Sequence, residues 1–193
     1  MAIRERVAKL VGDMPRAPQF PSQGATLFVD LERRETITAY TPVGVTRTLL
    51  GGRGANMYYL YRLLDESLSP LDPNIPMIFG SGPLTGLVPS AARGNCTSWS
   101  PESGVLLDAN AGDYFPSFLR MNGFDHIVLY GRAPQWTLIV IREPDFRQLC
   151  DANPRIGYVV IRNLAQDLAY KLRSSNLLLR GNIRWQRGEL GKA

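Results

Sequence analysis

Two pairs of segments in the sequence have the apolar pattern of β-hairpins. Ala25–Asp30 is rich in β-forming residues, and Glu35–Thr41 alternates between polar and apolar positions after a short charged turn. Further along the chain, His126–Tyr130 and Trp136–Ile141 are apolar runs joined by a glycine-containing link. We therefore predict one hairpin over residues 25–41 and a second over residues 126–141.

Apolar residues at helical spacing predict three helices. One covers 55–67, with Tyr61 among its apolar positions. Tyr114–Met121 predicts a short helix that ends at an Asn-Gly pair. Near the carboxyl end, an apolar stripe predicts an amphipathic helix over 154–176, followed by a short basic tail.

Short strands and glycine-containing turns are predicted between these elements. Thr46–Leu50, Met77–Gly80 and Val105–Leu107 have the composition of extended segments. Each leads into a turn that contains glycine. The three turns are Gly51–Gly54, Gly82–Gly86 and Ala109–Gly112.

The ends of the chain differ from its centre. Residues 1–24 have weak periodicity and several prolines, so we expect a loosely attached N-terminal arm. Residues 155–193 carry eight basic and two acidic side chains, a net charge of +6, whereas residues 1–154 carry 14 basic and 15 acidic ones. The basic character of the protein therefore belongs to its tail.

Composition excludes several classes of protein. Hydrophobic residues make up 45% and charged residues 20%, as in ordinary globular domains, and no apolar run is long enough for a transmembrane helix. One histidine and two cysteines cannot by themselves complete a four-iron cluster or a structural zinc site. The first residues lack the apolar core of a secretory signal, so we expect a cytoplasmic, reducing location.

The three glycine turns are candidate anion-binding sites. Glycine lets the backbone come close to an anion, and the N-terminus of a helix attracts phosphate. Arg53 and Arg93 lie in or beside these turns and could each supply a bidentate guanidinium. None of the turns has the dinucleotide-binding or P-loop spacing. Ordinary tight turns with exposed arginines explain the same pattern, so both interpretations stay open.

Other reactive side chains have simpler explanations. His126 lies in an apolar strand, where we expect a buried or half-buried structural histidine. Cys96 and Cys150 are expected to be plain thiols. Asp108 and Asp113 flank the third turn, and turn or capping roles fit them better than an acid/base pair or a cation site.

Five segments occur in an order that is shared with a known family. They are LLGGRGANMYYLYRLL (49–64), SPLDPNIPMIFGSGPLTG (69–86), the segment around Arg93, DANAGDYF (108–115) and MNGFDHIVLYGRA (121–133). In these pieces the sequence resembles the N-terminal domain of tungsten-containing aldehyde ferredoxin oxidoreductases, from about residue 25 to 142. The most specific part is SGPLTG followed by the N-x-G-x-Y-F segment.

The resemblance implies a fold and a cofactor site. It implies an α+β domain of twisted mixed β-sheets with short helices, which forms the base for a tungsten (or molybdenum) bis-pterin cofactor. Arg93 would bind a pterin phosphate, and the backbone carbonyl of Asn110 would bind the magnesium that bridges the two pterin phosphates. Ala111 and Gly112 would belong to the same cofactor-binding segment, with Gly112 allowing close approach.

The resemblance also implies a reaction and partners. The family oxidises aldehydes to carboxylic acids and passes electrons to ferredoxin through a four-iron cluster. Nothing after residue 142 resembles the second half of the family domain or the later domains that supply the cluster cysteines. Asp113 stands where the family often has glycine, and Trp99 stands where it often has lysine. We therefore expect a partial domain (25–142) that needs a separately encoded subunit carrying the cluster and the catalytic pocket.

The segment NPRIGYVVIRNLAQDLAYKLRSSN (153–176) has a different resemblance. It is similar to the closing helix of bacterial cyclic-nucleotide-binding domains, but the β-roll and phosphate-binding cassette of that family are missing. The simplest interpretation is an amphipathic helix in a basic tail (143–193), which docks on the body or on another subunit.

Three functional hypotheses follow. The first is an oxidoreductase fragment that provides part of the tungstopterin base and is inactive alone, with no catalytic residue identifiable in it. The alternative is a non-catalytic scaffold or regulatory remnant that forms homo-oligomers through its C-terminal helix. A weaker hypothesis is that the basic tail binds nucleic acid or another anionic surface.

Overall fold

The computed structural model describes residues 2–88, 91–112 and 114–141. The predicted C-terminal helix, Cys150 and Asp113 lie outside these residues. In chain order the elements are α1 (Ile3–Gly12), β1 (Ala25–Asp30), β2 (Glu35–Ala39), α2 (Val43–Leu49), α3 (Arg53–Leu63), β3 (Met77–Ser81), β4 (Gly94–Trp99), β5 (Leu106–Ala111), α4 (Tyr114–Met121) and β6 (Phe124–Tyr130). None of the described helices is long and apolar enough to cross a membrane.

The described strands form one mixed sheet in the order β2-β1-β6-β3-β4-β5. β1 and β2 pair as an antiparallel hairpin, as predicted. β1 pairs in parallel with β6, and the remaining neighbours are antiparallel. The six strands and four short helices of the described residues confirm the α+β class.

One face of the sheet is covered by α1 and α3. Tyr59 and Phe28 are fully buried there, with ring centroids 6.1 Å apart in an edge-to-face arrangement. The Tyr59 hydroxyl lies 2.8 Å from the Thr26 hydroxyl and 2.6 Å from that of Thr41, so its polar end is satisfied inside the core. Tyr61, predicted on the buried side of the helix, is 84% exposed, because the face that packs carries Ala55, Asn56, Tyr59, Leu60 and Leu63.

The opposite face is covered by α4. Leu119 packs there against Val29 and Ile127, which alternate along their strands with residues of the first face. The helix begins at Tyr114 and ends at Met121, as its apolar pattern predicted.

The expectation of a loosely attached N-terminal arm is wrong for its first half. Residues 3–12 form a helix whose Ile3, Val7 and Leu10 are buried in the main core. Arg4 Nε donates a hydrogen bond to Asp30 Oδ2 at 2.6 Å, which joins the helix to β1. Apolar side chains at helical spacing are buried here because α3 and the sheet give them a surface to pack on.

Two further predictions of local structure are corrected. The second hairpin does not form within the described residues, because β6 already has β1 on one edge and β3 on the other. Residues 136–141 are not in a strand, and Trp136 is fully exposed. The segment predicted as extended over 46–50 lies mostly in helix α2.

Candidate functional site

The pairing of β4 with β5 brings the sequence-predicted site residues together. Gly94 lies opposite Ala111, and the next pair along the strands is Asn95 with Asn110. Arg93 directly precedes Gly94, and Gly112 directly follows Ala111, so both lie at the same end of this strand pair. Arg93, Asn110, Ala111 and Gly112 are all exposed.

The third predicted turn is a strand for most of its length. Residues 109–111 belong to β5, which is the edge strand of the described sheet. An edge strand leaves the N–H and C=O groups on its outer side without a ladder partner. A Cβ atom built on Gly112 would have the Ala92 carbonyl oxygen, 3.9 Å away, as its nearest neighbour. Among the described residues, this end of β5 therefore has an accessible backbone and open space beside Gly112.

The other two glycine turns pack against each other. The N–H of Gly52 donates to the carbonyl oxygen of Ser81 at 3.1 Å, and the N–H of Gly82 donates to Thr85 Oγ1 at 3.0 Å. Gly52 has a φ of +51°, and a Cβ there would lie 3.6 Å from Gly82 Cα. Because these N–H groups are used within the protein, the structure supports the tight-turn interpretation for both turns.

Two arginines place positive charge near the β5 edge. Arg53, at the start of α3, forms an ion pair with Asp108 on β5, with 2.6 Å between nitrogen and oxygen. Arg93 makes no side-chain ion pair or hydrogen bond with residues 2–88, 91–112 and 114–141. Its guanidinium is therefore available to an anion, whereas that of Arg53 is partly neutralised.

A buried amide lies behind this edge. Asn56, fully buried on α3, donates through Nδ2 to the carbonyl oxygens of Ile78 (3.3 Å) and Asn95 (3.1 Å), and to Asn95 Oδ1 (3.1 Å). These three acceptors fix which end of the amide is the NH₂. Asn56 Oδ1 must then accept from Nδ1 of His126, 2.9 Å away, and so the ring carries its proton on Nδ1.

His126 is the structural histidine that the sequence predicted. It is 2% exposed, and burial together with the nearby positive charge of Arg120 lowers its pKa to about 3. The ring is therefore neutral at physiological pH. Asn56 and Asn95 were missed in the sequence analysis, although an asparagine inside a helix is unfavourable unless its side chain has a specific partner.

The other candidate groups that the structure describes form no second reactive cluster. Cys96 is a free, partly buried thiol, and burial raises its pKa, as expected for an unreactive cysteine. Among the described residues, no three His, Cys, Asp or Glu side chains come close enough together to hold a metal ion. A cavity of about 270 Å³ lies beside α4, but Arg120 on its wall already binds Asp125 and the carbonyl oxygen of Ser22.

The described residues form an α+β domain in which Arg93 and Gly112 lie at an exposed end of the β4–β5 pair. Residues 26–175 match the sequence profile of the aldehyde ferredoxin oxidoreductase N-terminal domain. The chain therefore belongs to the aldehyde ferredoxin oxidoreductase family. The match continues beyond residue 142, so the expectation that the resemblance to this family ends there is wrong. It includes most of residues 153–176, the segment that is similar to the closing helix of cyclic-nucleotide-binding domains.

Individual relatives agree with this assignment. The tungsten-containing aldehyde ferredoxin oxidoreductase of Thermococcus kodakarensis is 33% identical over 138 residues, which are 71% of this chain and 23% of that protein. The enzyme of the same name from Pyrococcus furiosus is 38% identical over 95 residues, 49% of this chain and 16% of the relative. The chain thus spans less than a quarter of the length of these curated relatives.

One further curated relative and one solved structure have names other than aldehyde ferredoxin oxidoreductase. The WOR-like subunit of an aliphatic sulfonate oxidoreductase from Pyrococcus furiosus is 32% identical over 114 residues, which are 57% of this chain and 18% of that protein. Among solved structures, the active-site complex BamBC of benzoyl coenzyme A reductase with 1,5-dienoyl-CoA has a TM-score of 0.56 and 26% identity. That similarity covers 58% of this chain and 17% of the other.

Proposed function

We propose that this chain provides part of the tungstopterin-binding base of an oxidoreductase of the aldehyde ferredoxin oxidoreductase family. The observation that supports this most is the position of Arg93 beside Asn110 and Gly112, at the exposed end of the β4–β5 pair. The relatives named as tungsten-containing enzymes supply the identity of the cofactor.

The residues at this edge fit a group that carries phosphates and a hard cation. Arg93 has a guanidinium without a partner among the described residues, and a guanidinium binds phosphate through two parallel hydrogen bonds. Asn110 lies on an exposed edge strand, and backbone carbonyls are suitable ligands for magnesium. Gly112 leaves open the space that a side chain would fill.

Each residue has a defined role in the proposal. Arg93 holds a pterin phosphate, and the backbone carbonyl of Asn110 holds the magnesium. Ala111 and Gly112 let the backbone approach the cofactor. When bound, the tungsten bis-pterin supplies the redox centre at which an aldehyde is oxidised to a carboxylic acid. None of the described residues is assigned as a general base or a substrate ligand.

The proposed enzyme needs protein beyond these 193 residues. A four-iron cluster takes four thiolates, and the sequence contains two cysteines. Exposed apolar side chains on α4, including Phe115 (53%) and Met121 (62%), support burial of this face by further protein. We propose that the additional protein carries the four-iron cluster and the catalytic pocket, and that ferredoxin accepts the electrons. The cytoplasmic location stays a prediction.

Metal analysis of the protein from its native host tests the proposal. The full chain is purified anaerobically under mild conditions with whatever protein accompanies it, and tungsten, molybdenum and pterin are measured per chain. The proposal predicts about one heavy metal and two pterins per assembly, together with an accompanying protein rich in cysteine. A metal-free chain that forms homo-oligomers would instead support the scaffold hypothesis.

A further inference from the structure

The side chain of Asn95 connects the protein core to the β5 edge. It lies on β4, is 7% exposed, and its Oδ1 accepts hydrogen bonds from Asn56 Nδ2 at 3.1 Å and from Thr97 Oγ1 at 2.6 Å. Since both partners donate to Oδ1, the NH₂ group of Asn95 must point the other way, towards β5. The orientation of the amide is thus fixed by the core.

The NH₂ group meets three consecutive residues of β5. Asn95 Nδ2 donates to a carboxylate oxygen of Asp108, lies 3.2 Å from the carbonyl oxygen of Ala109, and lies 3.4 Å from Asn110 Oδ1. Asn110 is also the residue directly opposite Asn95 in the strand register. One buried amide therefore holds the segment that precedes Ala111 and Gly112.

An edge strand depends on such a contact more than a central strand does. Within the described sheet β5 has one neighbour, and five of its six residues are exposed, so little side-chain burial holds it in place. The Asn95 amide cannot rotate away without removing the acceptor of the buried Thr97 hydroxyl and one of the three acceptors of Asn56 Nδ2, which is costly. The chain from His126 through Asn56 to Asn95 is therefore a rigid support behind a weakly held edge.

We infer that Asn95 is a positioning residue of the proposed cofactor site: its side-chain amide holds β5 so that Asn110, Ala111 and Gly112 face the cofactor in one fixed conformation. The inference rests on the proposed function for the identity of the ligand. The contacts from which it is argued lie within the chain itself.

The sharpest perturbation replaces the hydrogen-bond donor that Asn95 presents to Asp108 by an acceptor. Asn95→Asp keeps the size and shape of the side chain but places an acceptor oxygen against the carboxylate of Asp108. The double variant N95D/D108N restores a donor–acceptor pair with the roles exchanged, and D108N alone is its reference. The matched control is Ser98→Ala, on the same strand as Asn95. It removes a buried hydroxyl that donates to the Pro76 carbonyl oxygen at 2.9 Å.

The first readout needs no cofactor. Hydrogen–deuterium exchange of the full chain is followed in peptides that cover residues 106–112. N95D should accelerate exchange there about tenfold, S98A by less than about twofold, and the double variant should recover to within about threefold of wild type. Loss of packing alone would not be rescued by the second substitution. If N95D does not fold, D108A serves instead, with an acceleration of about threefold expected.

The second readout is tungsten per chain in the assembly from the native host. N95D should lower the tungsten content about tenfold, and S98A should leave it unchanged. Exchange and tungsten content of N95D equal to those of S98A would overturn the inference and leave the proposed function standing. Faster exchange with full tungsten content would also overturn it. A wild-type assembly without tungsten would overturn the proposed function, and the inference that rests on it.

Discussion

Protonation of His126 is the most direct perturbation of the buried amide chain. The ring is buried, and its Nδ1–H donates to Asn56, so a second proton would place a charge inside the core. Burial, helped by Arg120, lowers the pKa from its ordinary 6.5 to about 3 in the folded protein. The unfolded chain keeps the ordinary pKa and therefore takes up the proton first as the pH falls.

The sign and size of the effect follow from these two pKa values. A histidine whose pKa is lowered by folding contributes its full stability above pH 6.5, and that contribution is lost as the pH falls towards 3. The loss grows by about 1.4 kcal/mol per pH unit below 6.5. Between about pH 7 and about pH 4 it amounts to about 3 kcal/mol of the free energy of unfolding.

The assay is urea unfolding of wild type and His126→Asn at a series of pH values. The asparagine Nδ2 is attached at the same distance along the side chain as Nδ1 of histidine, so it can still donate to Asn56 Oδ1, but it does not titrate. Carboxylates titrate in both proteins, so the difference between the two stability profiles isolates the histidine. We expect the wild type to lose about 3 kcal/mol more than H126N between these pH values. Parallel profiles would show that the ring is not a buried neutral hydrogen-bond donor.

Two further substitutions test how the chain folds around the site. Leu10→Ala should lower the free energy of unfolding by about 2–5 kcal/mol, because Leu10 is 1% exposed. Its control, Lys9→Ala on the exposed side of α1, should be nearly neutral. Equal effects of the two substitutions would refute docking of α1. Gly80→Ala should destabilise the protein strongly, because its Cβ would clash with the side-chain oxygen of Asn56, whereas Gly12→Ala, with open space around it, should cost nothing. Chemical denaturation measures both pairs, and a well-tolerated G80A would contradict the close packing of β3 on the amide.

Local sequence patterns predicted the elements whose stability is mainly local. The β1–β2 hairpin, β3 and α4 have clear apolar patterns and occur near their predicted positions. The partners of β6 could not be predicted in this way, because its parallel pairing with β1 joins segments about a hundred residues apart. Apolar residues of α1 do recur at helical spacing, but its many charged residues and the prolines that follow hid this signal.

The sequence predicted the residues of the candidate site but not the strand pair that holds them, because that pairing is not visible in a local pattern. Arg93, Asn110, Ala111 and Gly112 were chosen by resemblance to a family, and the strand register places them at one end of β4 and β5. The sequence DANAG has the composition of a turn, yet most of it is held as a strand by pairing with β4. β4 itself was missed because Asn95 and Thr97 are polar, and their burial depends on hydrogen bonds that no hydropathy pattern indicates.

Tungsten content of two arginine variants tests the central proposal most directly. Arg93→Ala removes the guanidinium proposed to hold a pterin phosphate, and Arg47→Ala removes another exposed arginine, on α2. Both are purified in the assembly from the native host, and tungsten and pterin per chain are compared with wild type. The proposal predicts that the tungsten content per chain of R93A is at least about tenfold lower than that of wild type, whereas R47A keeps the wild-type content. Full and equal tungsten in both variants would contradict the assignment of this edge as the cofactor site.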